Sequence, residues 1–398
     1  MPPARDPAAA SRWAVPRPHR VCLVAGEASG DLHGADLLAA LRVELPDLEV
    51  FGIGGQRLRE AGMETVADAS EVATVGVLEG VGRLRALVRA YRVLARRIRE
   101  QPPDLCVLID FPEFNLRLAR LAKRAGVPVL YYIGPQVWAW RRWRVRKVAR
   151  RVDRLAVVFP FEPILYAARI PGVEFVGHPL LDRVHVSRNR PDTLHLYGLD
   201  PARRTIVLLP GSRRSEIDRL LPVFLDGVRR FVAADGAAYQ FPLALAHTVP
   251  RGPVEERIRS TGLPVPVIEE DTYNLIAAAD LALVSSGTAT LECALLECPM
   301  VIAYRLSPVT HVLGRLLVRG VRNIGMPNIV AGREVVPELL QGRATGAAIF
   351  AEARAILDHP ARRAEIVEAL HEVRHRLGRG GAAGRAAAIA LEILRGER

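Results

Sequence analysis

The feature that most constrains this chain is an alternation, repeated twice, of short unbroken apolar runs with helix-length segments. In the first half, residues 21–25, 48–53, 105–109, 128–132 and 155–159 read as strands, with helices at 35–43, 82–99, 114–125 and 140–150 between them. Runs rich in Val, Ile and Leu on both faces must be covered on both faces, and crossover helices do this, so the pattern predicts a doubly wound parallel sheet. The periodicity lapses at residues 177–201 into a stretch containing His, Arg and Pro. It resumes with strands at 205–209, 240–246, 265–268, 281–284 and 300–304. The expected fold class is therefore α/β, with two doubly wound domains. Their bounds read as a disordered leader at 1–20, an N-terminal domain at 21–185, a second domain at 200–358 and C-terminal helices at 359–398. Pro360 can start one of those helices, and the glycines at 378–381 break it before a last helix at 382–394. Two such domains leave a cleft between them, and open parallel sheets bind ligands beyond the carboxyl ends of their strands.

With 398 residues, 50% hydrophobic and 25% charged, the chain is neither disordered nor fibrous. Its 55 Lys+Arg exceed 43 Asp+Glu to give +12, and Lys123 and Lys147 are the only lysines, a skew that first suggests a GC-rich genome. The surplus still leaves a cationic surface, suited to nucleic acid, an anionic membrane, phosphorylated ligands or nothing specific. Cys22, Cys106, Cys293 and Cys298 lie in apolar runs without a C-x-x-C pair and read as core residues in a reducing compartment. Residues 1–20 lack the apolar core of a signal peptide, and no run approaches the ~18–20 apolar residues that span a bilayer. A cytosolic protein, or one peripheral to a membrane from that side, is expected.

Several strand-to-helix turns carry chemistry. Gly26-Glu27-Ala28-Ser29-Gly30-Asp31 offers either an anion site at a helix N-terminus or a tight turn with a Ser or Asp cap. Gly52-Ile53-Gly54-Gly55 is either a closely packed turn or a substrate loop. Asp110-Phe111-Pro112-Glu113-Phe114-Asn115 sets two carboxylates at a strand's carboxyl end, where partial burial suits a general base and helix capping is the plainer reading of Asp110. In the second domain, the turn from Leu209-Pro210-Gly211 through Ser212, Arg213, Arg214 and Ser215 to Glu216 combines close approach with N–H, hydroxyl and guanidinium donors. Ser285-Ser286-Gly287-Thr288-Ala289-Thr290 forms a second anion nest, with Glu292 one turn in to accept ribose hydroxyls. Two phosphate-competent loops in one sheet point to a nucleotide.

His371-Glu372-Val373-Arg374-His375 matches the zinc motif H-E-x-x-H, but Ile366, Leu370, Val373 and Leu377 mark the buried stripe of that helix and both histidines fall away from it. They read as solvated. Two basic amphipathic stretches are either packed on their own sheet or laid in a bilayer interface. Residues 81–98 place Val81, Leu84, Leu87, Val88, Tyr91, Leu94 and Ile98 on one side, with Arg83, Arg85, Arg89, Arg92, Arg96 and Arg97 largely elsewhere. Residues 138–151 mix Trp138, Trp140 and Trp143 with seven basic residues.

Together these segments resemble the lipid-A-disaccharide synthase family, glycosyltransferases of GT-B architecture with two Rossmann-like domains. Besides the turns above, the matching stretches are Gly134-Pro135-Gln136-Val137-Trp138-Ala139-Trp140, Phe161-Glu162, Val176-Gly177-His178-Pro179 and Met326-Pro327-Asn328-Ile329-Val330-Ala331-Gly332-Arg333-Glu334, in family order over residues 21–341. The resemblance implies inverting transfer of a 2,3-diacylglucosamine from UDP onto the 6-hydroxyl of 2,3-diacylglucosamine 1-phosphate (lipid X), giving a β-1,6 disaccharide and UDP. It makes Glu113 the candidate base with Asp110 beside it, although the family usually has Asp at the position of Glu113. Arg213 and Ser212 would contact the diphosphate, Ser286, Gly287 and Thr288 would cradle it, Glu292 would hold the ribose, and Asn328 would line the donor pocket. Gly26, Glu27, Ser29 and Asp31 would face the acceptor side of the cleft. With no D-x-D pair, a metal-independent reaction without cofactor is expected. Acylated substrates imply docking on an anionic inner-membrane surface, and the family suggests a homodimer that exchanges C-terminal segments. A UDP-sugar epimerase of the same architecture is the alternative, and a nucleic-acid-binding module, for which no motif exists, a more distant one.

Overall fold

The computed structural model describes residues 17–69, 80–135, 144–305 and 323–396. The first domain runs β1 (Arg20–Ala25), α1 (Ala28–Glu44), β2 (Glu49–Gly54), α2 (Gln56–Glu60), β3 (Glu64–Asp68), α3 (Gly80–Glu100), β4 (Leu105–Ile109), α4 (Pro112–Arg124), β5 (Val129–Tyr132), α5 (Val145–Ala149), β6 (Arg154–Val157), α6 (Glu162–Tyr166) and β7 (Gly172–Phe175). The second runs α7 (Arg190–Leu196), β8 (Arg204–Leu209), α8 (Arg214–Asp235), β9 (Tyr239–Gln240), β10 (Leu243–Leu245), α9 (Arg251–Arg259), β11 (Val267–Glu269), α10 (Thr272–Ala278), β12 (Leu281–Ser285), α11 (Thr288–Leu295), β13 (Met300–Tyr304), α12 (Met326–Ala331), β14 (Glu338–Leu340), α13 (Gly346–Leu357), α14 (Pro360–Arg376) and α15 (Ala382–Arg395). The leader up to residue 16 and the aromatic-basic stretch from 136 to 143 lie outside the described residues.

Both sheets are parallel, ordered β3-β2-β1-β4-β5-β6-β7 and β11-β10-β8-β12-β13-β14, with β9 beside β8. This is the doubly wound α/β class that the apolar runs predict. Alternation along β1 shows why both faces are apolar: Val21, Leu23 and Ala25 join the core that includes Leu37, Leu38 and Leu41 of α1, while Cys22 and Val24 join the one that includes Leu94 and Ile98 of α3. All four cysteines are free and buried.

The apolar runs do not announce β3, β7 and β14, each of which lies at a sheet edge. β3 and β7 are mostly half-buried and β14 has only three residues, so no continuous apolar signal is required of them. The run at 240–246 splits at Phe241-Pro242, because proline has no N–H for the ladder. One prediction about α3 needs correcting. Ala90, Leu94, Ala95 and Ile98 form its buried stripe, whereas Val88 is 39% exposed.

α15 returns to the first domain of its own chain. It packs on α1, the Asp182 carboxylate accepts from the N–H groups of Gly381 and Ala382 at its start, and Arg385 Nε donates to the Val176 carbonyl at 2.9 Å. Among the described residues, no helix is long and apolar enough to cross a membrane.

Candidate active site

β4 ends in a corner whose geometry is unusual for its residues. Asp110 and Phe111 both adopt left-handed backbone, with φ of 45° and 47°, a conformation costing non-glycine residues on the order of 1 kcal/mol or more. Neighbours hold it in place. Buried Asn115 donates to the carbonyls of Ile109 and Asp110, at 3.1 and 2.7 Å, and the Tyr131 hydroxyl donates to the Asp110 carbonyl. The Phe111 ring lies over Gly26 so closely that a Cβ there would come within 2.3 Å of it. Pro112 occupies the first turn of α4, as expected.

This corner separates the two carboxylates. Asp110 is largely withdrawn from water, and its pKa is raised to about 6, first by burial and then by the neighbouring Glu27 carboxylate. Glu113, one helical turn away, has a side chain 56% exposed and paired with Arg144. The two carboxylates thus differ in their surroundings: that of Glu113, the expected base, is engaged by a guanidinium, while burial holds the pKa of Asp110 raised. Asp110 does not cap α4, whose N-cap is Phe111.

On the adjoining β1 turn, Glu27 and Ser29 are exposed, and Gly26 is buried beneath Phe111. Asp31 departs from the expectation that it faces the cleft. It is 6% exposed, and its carboxylate accepts from the N–H groups of Gly55, Arg57 and Leu58 at 2.6, 3.0 and 3.2 Å. It therefore satisfies the start of α2, a helix 25 residues further along. The glycine-rich turn 52–55 is the closely packed one of its two readings: a Cβ on Gly54 would meet Leu58 and Met63 at 2.6 Å, and one on Gly55 would meet Asp31.

In the second domain, the turns after β8 and β12 open on one cavity of about 800 Å³, within the range of nucleotide-sized ligands. Ser212, Arg213, Ser286, Gly287, Thr288 and Glu292 all line it. Gly211 has φ 130°, and a Cβ there would clash with Glu216. Glu216 folds back so that one carboxylate oxygen accepts from the N–H groups of Ser212 and Arg213 at 3.0 and 3.3 Å, and the other from Arg213 Nη1 at 3.4 Å. The carboxylate thus occupies N–H donors suited to a phosphate oxygen. The Ser286 hydroxyl donates to the Ile324 carbonyl at 3.2 Å, while Gly287 and Thr288 are exposed at the start of α11. Glu292 stands one turn in. Its pKa is raised by burial, and it accepts a hydrogen bond from the Tyr273 hydroxyl at 3.4 Å. Between the domains, Arg183 pairs with Asp36 of α1 at 2.6 Å and its charge acts on Tyr273.

Asn328 does not belong to this cavity. It is fully buried; its amide donates to the Val336 carbonyl and to Glu338, and its oxygen accepts from the N–H groups of Val335 and Val336. Glu338 in turn accepts from the N–H groups of Ile324 and Gly325. The Met326–Glu334 motif contributes here a satisfied polar anchor between α12 and β14, and the donor-pocket role expected of Asn328 is corrected. His371 and His375 are exposed as anticipated, touching Glu297 and each other. Among the described residues, no group of three or more His, Cys, Asp or Glu is arranged to hold a metal ion.

Sequence reasoning missed Tyr273, Arg183 and the restraints from Asn115 and Tyr131. For Glu216 a signal existed, since a glutamate three residues after the N-cap is the capping-box spacing. Tyr273 meets Glu292 only because α10 and α11 pack together, which no local pattern encodes.

Residues 21–393 match the model of a family described as lipid-A-disaccharide synthetase. A lipid-A-disaccharide synthase of Geobacter metallireducens is 49% identical over 376 residues, covering 94% of this chain and 97% of the relative. Among solved structures, a putative UDP-N-acetylglucosamine 2-epimerase from Listeria monocytogenes superposes with a TM-score of 0.63 at 15% identity, covering 95% of this chain and 97% of the other. The calicheamicin glycosyltransferase CalG4 gives 0.60 at 14%, covering 95% and 99%. At such identity these two likenesses speak for the fold alone, the GT-B arrangement of two α/β domains.

Proposed function

The chain belongs to the lipid-A-disaccharide synthase family, and from that premise we propose how its cleft joins two acylated glucosamine units. It is a glycosyltransferase of lipid A biosynthesis that uses a UDP-sugar donor and a sugar acceptor. The donor is UDP-2,3-diacylglucosamine and the acceptor 2,3-diacylglucosamine 1-phosphate, as the resemblance implies. An epimerase reading is not favoured, since the epimerases share only the fold whereas the synthase relatives share nearly half of the residues.

Inversion at the anomeric carbon takes one in-line displacement. The Asp110 carboxylate takes the proton of the acceptor 6-hydroxyl as its oxygen attacks C1 of the donor, and the bond to UDP breaks. Arg213 and Ser212, with the N–H groups of Ser286, Gly287 and Thr288 at the start of α11, stabilise the departing diphosphate. Glu292 and Tyr273 hold the ribose, and Glu27 and Ser29 border the acceptor. Glu113 orients Arg144 at the rim. In this reading guanidinium and helix dipoles neutralise the leaving group without a metal or cofactor. The observation that carries the proposal is the Asp110 corner: a strained, largely buried carboxylate with pKa about 6 at the carboxyl end of a central strand.

Because both substrates carry acyl chains, the protein works peripherally on the cytosolic face of an anionic inner membrane, with its basic helices toward the leaflet. In a homodimer of exchanged C-terminal segments, the seat of α15 on α1 is the contact the swap would replace. The test is to incubate purified protein with UDP-diacylglucosamine and lipid X in nonionic micelles containing a chelator. Disaccharide 1-phosphate and UDP are expected in equal amounts; folded protein that yields neither sinks the reading.

A further inference from the structure

A second cavity, of about 550 Å³, lies on the outer side of the first domain between α3, α4 and α5. Arg99, Arg117, Arg120, Arg124, Lys147 and Arg151 line it with Tyr91, and no carboxylate does. The arrangement follows from helix spacing. Glu113, Arg117, Arg120 and Arg124 stand at i, i+4, i+7 and i+11 on α4, and across from this stripe lie Lys147 on α5 and Arg151 in the turn after it. The Glu113–Arg144 pair stands at the first turn of α4, outside the groove's lining. Within the groove, none of the six cations has an ion-pair partner among the described residues; Arg151 is steadied instead by donating to the Leu116 carbonyl at 2.6 Å. Elsewhere on α3, Arg96 and Arg97 pair with Glu100 and Glu64.

Six like charges converging on one cavity repel one another unless an anion enters. Their mutual field is visible in Lys147, whose pKa is lowered by burial and then by Arg151 and Arg144. From Arg117 to Arg124 the stripe extends roughly 10 Å at helical rise, wider than one phosphate and suited to several phosphates side by side. The adjoining outer face of α3 continues it with Arg85 and Arg92 exposed around Val88, an apolar side chain left in the open.

We propose that this groove is a phosphate-binding seat for the headgroups of anionic phospholipids, through which the protein docks on a bilayer. The chemistry recognised is the phosphate anion; a leaflet, unlike a soluble phosphate, presents several at once and offers Val88 an apolar boundary. The proposal rests on the glycosyltransferase reading for its substrate-bearing membrane, but its test is independent of turnover.

Binding to vesicles of phosphatidylglycerol and phosphatidylcholine, and to phosphatidylcholine alone, is measured by flotation at fixed ionic strength for wild type and two charge-matched variants. Arg120→Gln/Arg124→Gln removes two groove cations, and Arg259→Gln/Arg343→Gln removes two exposed arginines of the second domain. Wild type should float only with the anionic vesicles, the groove variant should lose roughly 30-fold in partitioning, and the control should stay within roughly threefold. Equal losses in both variants would reduce the effect to net charge, and absence of wild-type binding to anionic vesicles would likewise overturn the proposal. Calorimetry with inorganic pyrophosphate forms the second arm: saturable binding that the groove variant loses, without vesicle binding, assigns the site to a soluble phosphate and also overturns it. Disaccharide formation in nonionic micelles reads the other question, since its absence in wild type would count against the reaction and leave the flotation result standing.

Discussion

Two strand-to-helix turns, each at the carboxyl end of a parallel strand, differ in exposure, and opposite tasks are proposed for them. The Asp110 corner of the first domain is packed, left-handed and largely dry. The Ser212–Arg213 turn of the second is open, with the Arg213 side chain 68% exposed and Glu216 resting on its N–H groups. The contrast suits the tasks proposed for them. A carboxylate becomes a useful base at neutral pH only when water is withdrawn from it, whereas an anion cradle must leave its donors reachable from solvent.

The largest effect that could break this comparison is on turnover. Asp110→Asn should lower kcat by about 10²–10⁴-fold, the range for a lost general base, and leave UDP binding by calorimetry near wild type. Glu113→Gln should retain at least roughly a tenth of wild-type kcat; if the two losses were reversed, the roles given to these carboxylates would exchange. Arg213→Ala, on the open side, should cost about 10²–10³-fold in kcat/KM and weaken UDP as well.

Stability offers a second contrast. Because the folded pKa of Asp110 is raised, its protonated form is the favoured one: its contribution to stability is fully present below the ordinary carboxylate range and is lost as pH rises through about 6. Denaturant titrations should therefore show Asp110→Asn gaining on wild type between pH 4 and pH 7, by on the order of 3 kcal/mol. For the same reason kcat/KM should rise with pH through a limb near 6, and a flat profile there would dissociate Asp110 from the proton transfer. Asn328→Ala should destabilise by about 1–3 kcal/mol through unsatisfied buried groups, with unchanged UDP affinity in the folded protein. The smallest effect concerns Glu216→Gln. Loss of a charged capping group should lower stability by roughly 1 kcal/mol or less and tighten UDP a few-fold, since a neutral amide competes less well for the turn's N–H groups.

The motif order that runs from Gly26 to Glu334 survives folding into two sheets, and the residues predicted for the diphosphate, Ser212, Arg213, Ser286, Gly287 and Thr288, do meet in one cavity. They were legible because the carboxyl ends of parallel strands converge whatever the details of packing. Asp31 and Asn328 were misread for a common reason. Each is a polar residue in a conspicuous motif, but the partners that engage it are backbone N–H groups up to 27 residues away, and nothing local distinguishes a side chain facing a cleft from one facing a neighbouring turn.

The sequence by itself determined the α/β class and its two doubly wound sheets, since hydrophobic period and turn composition are local properties that strands and helices must obey. Only the tertiary structure decided which of two carboxylates three residues apart is largely buried, and that arginines from separate helices meet around a groove that no carboxylate lines. Desolvation and charge pairing depend on every element packed around a group, so they exist only once the chain has closed on itself.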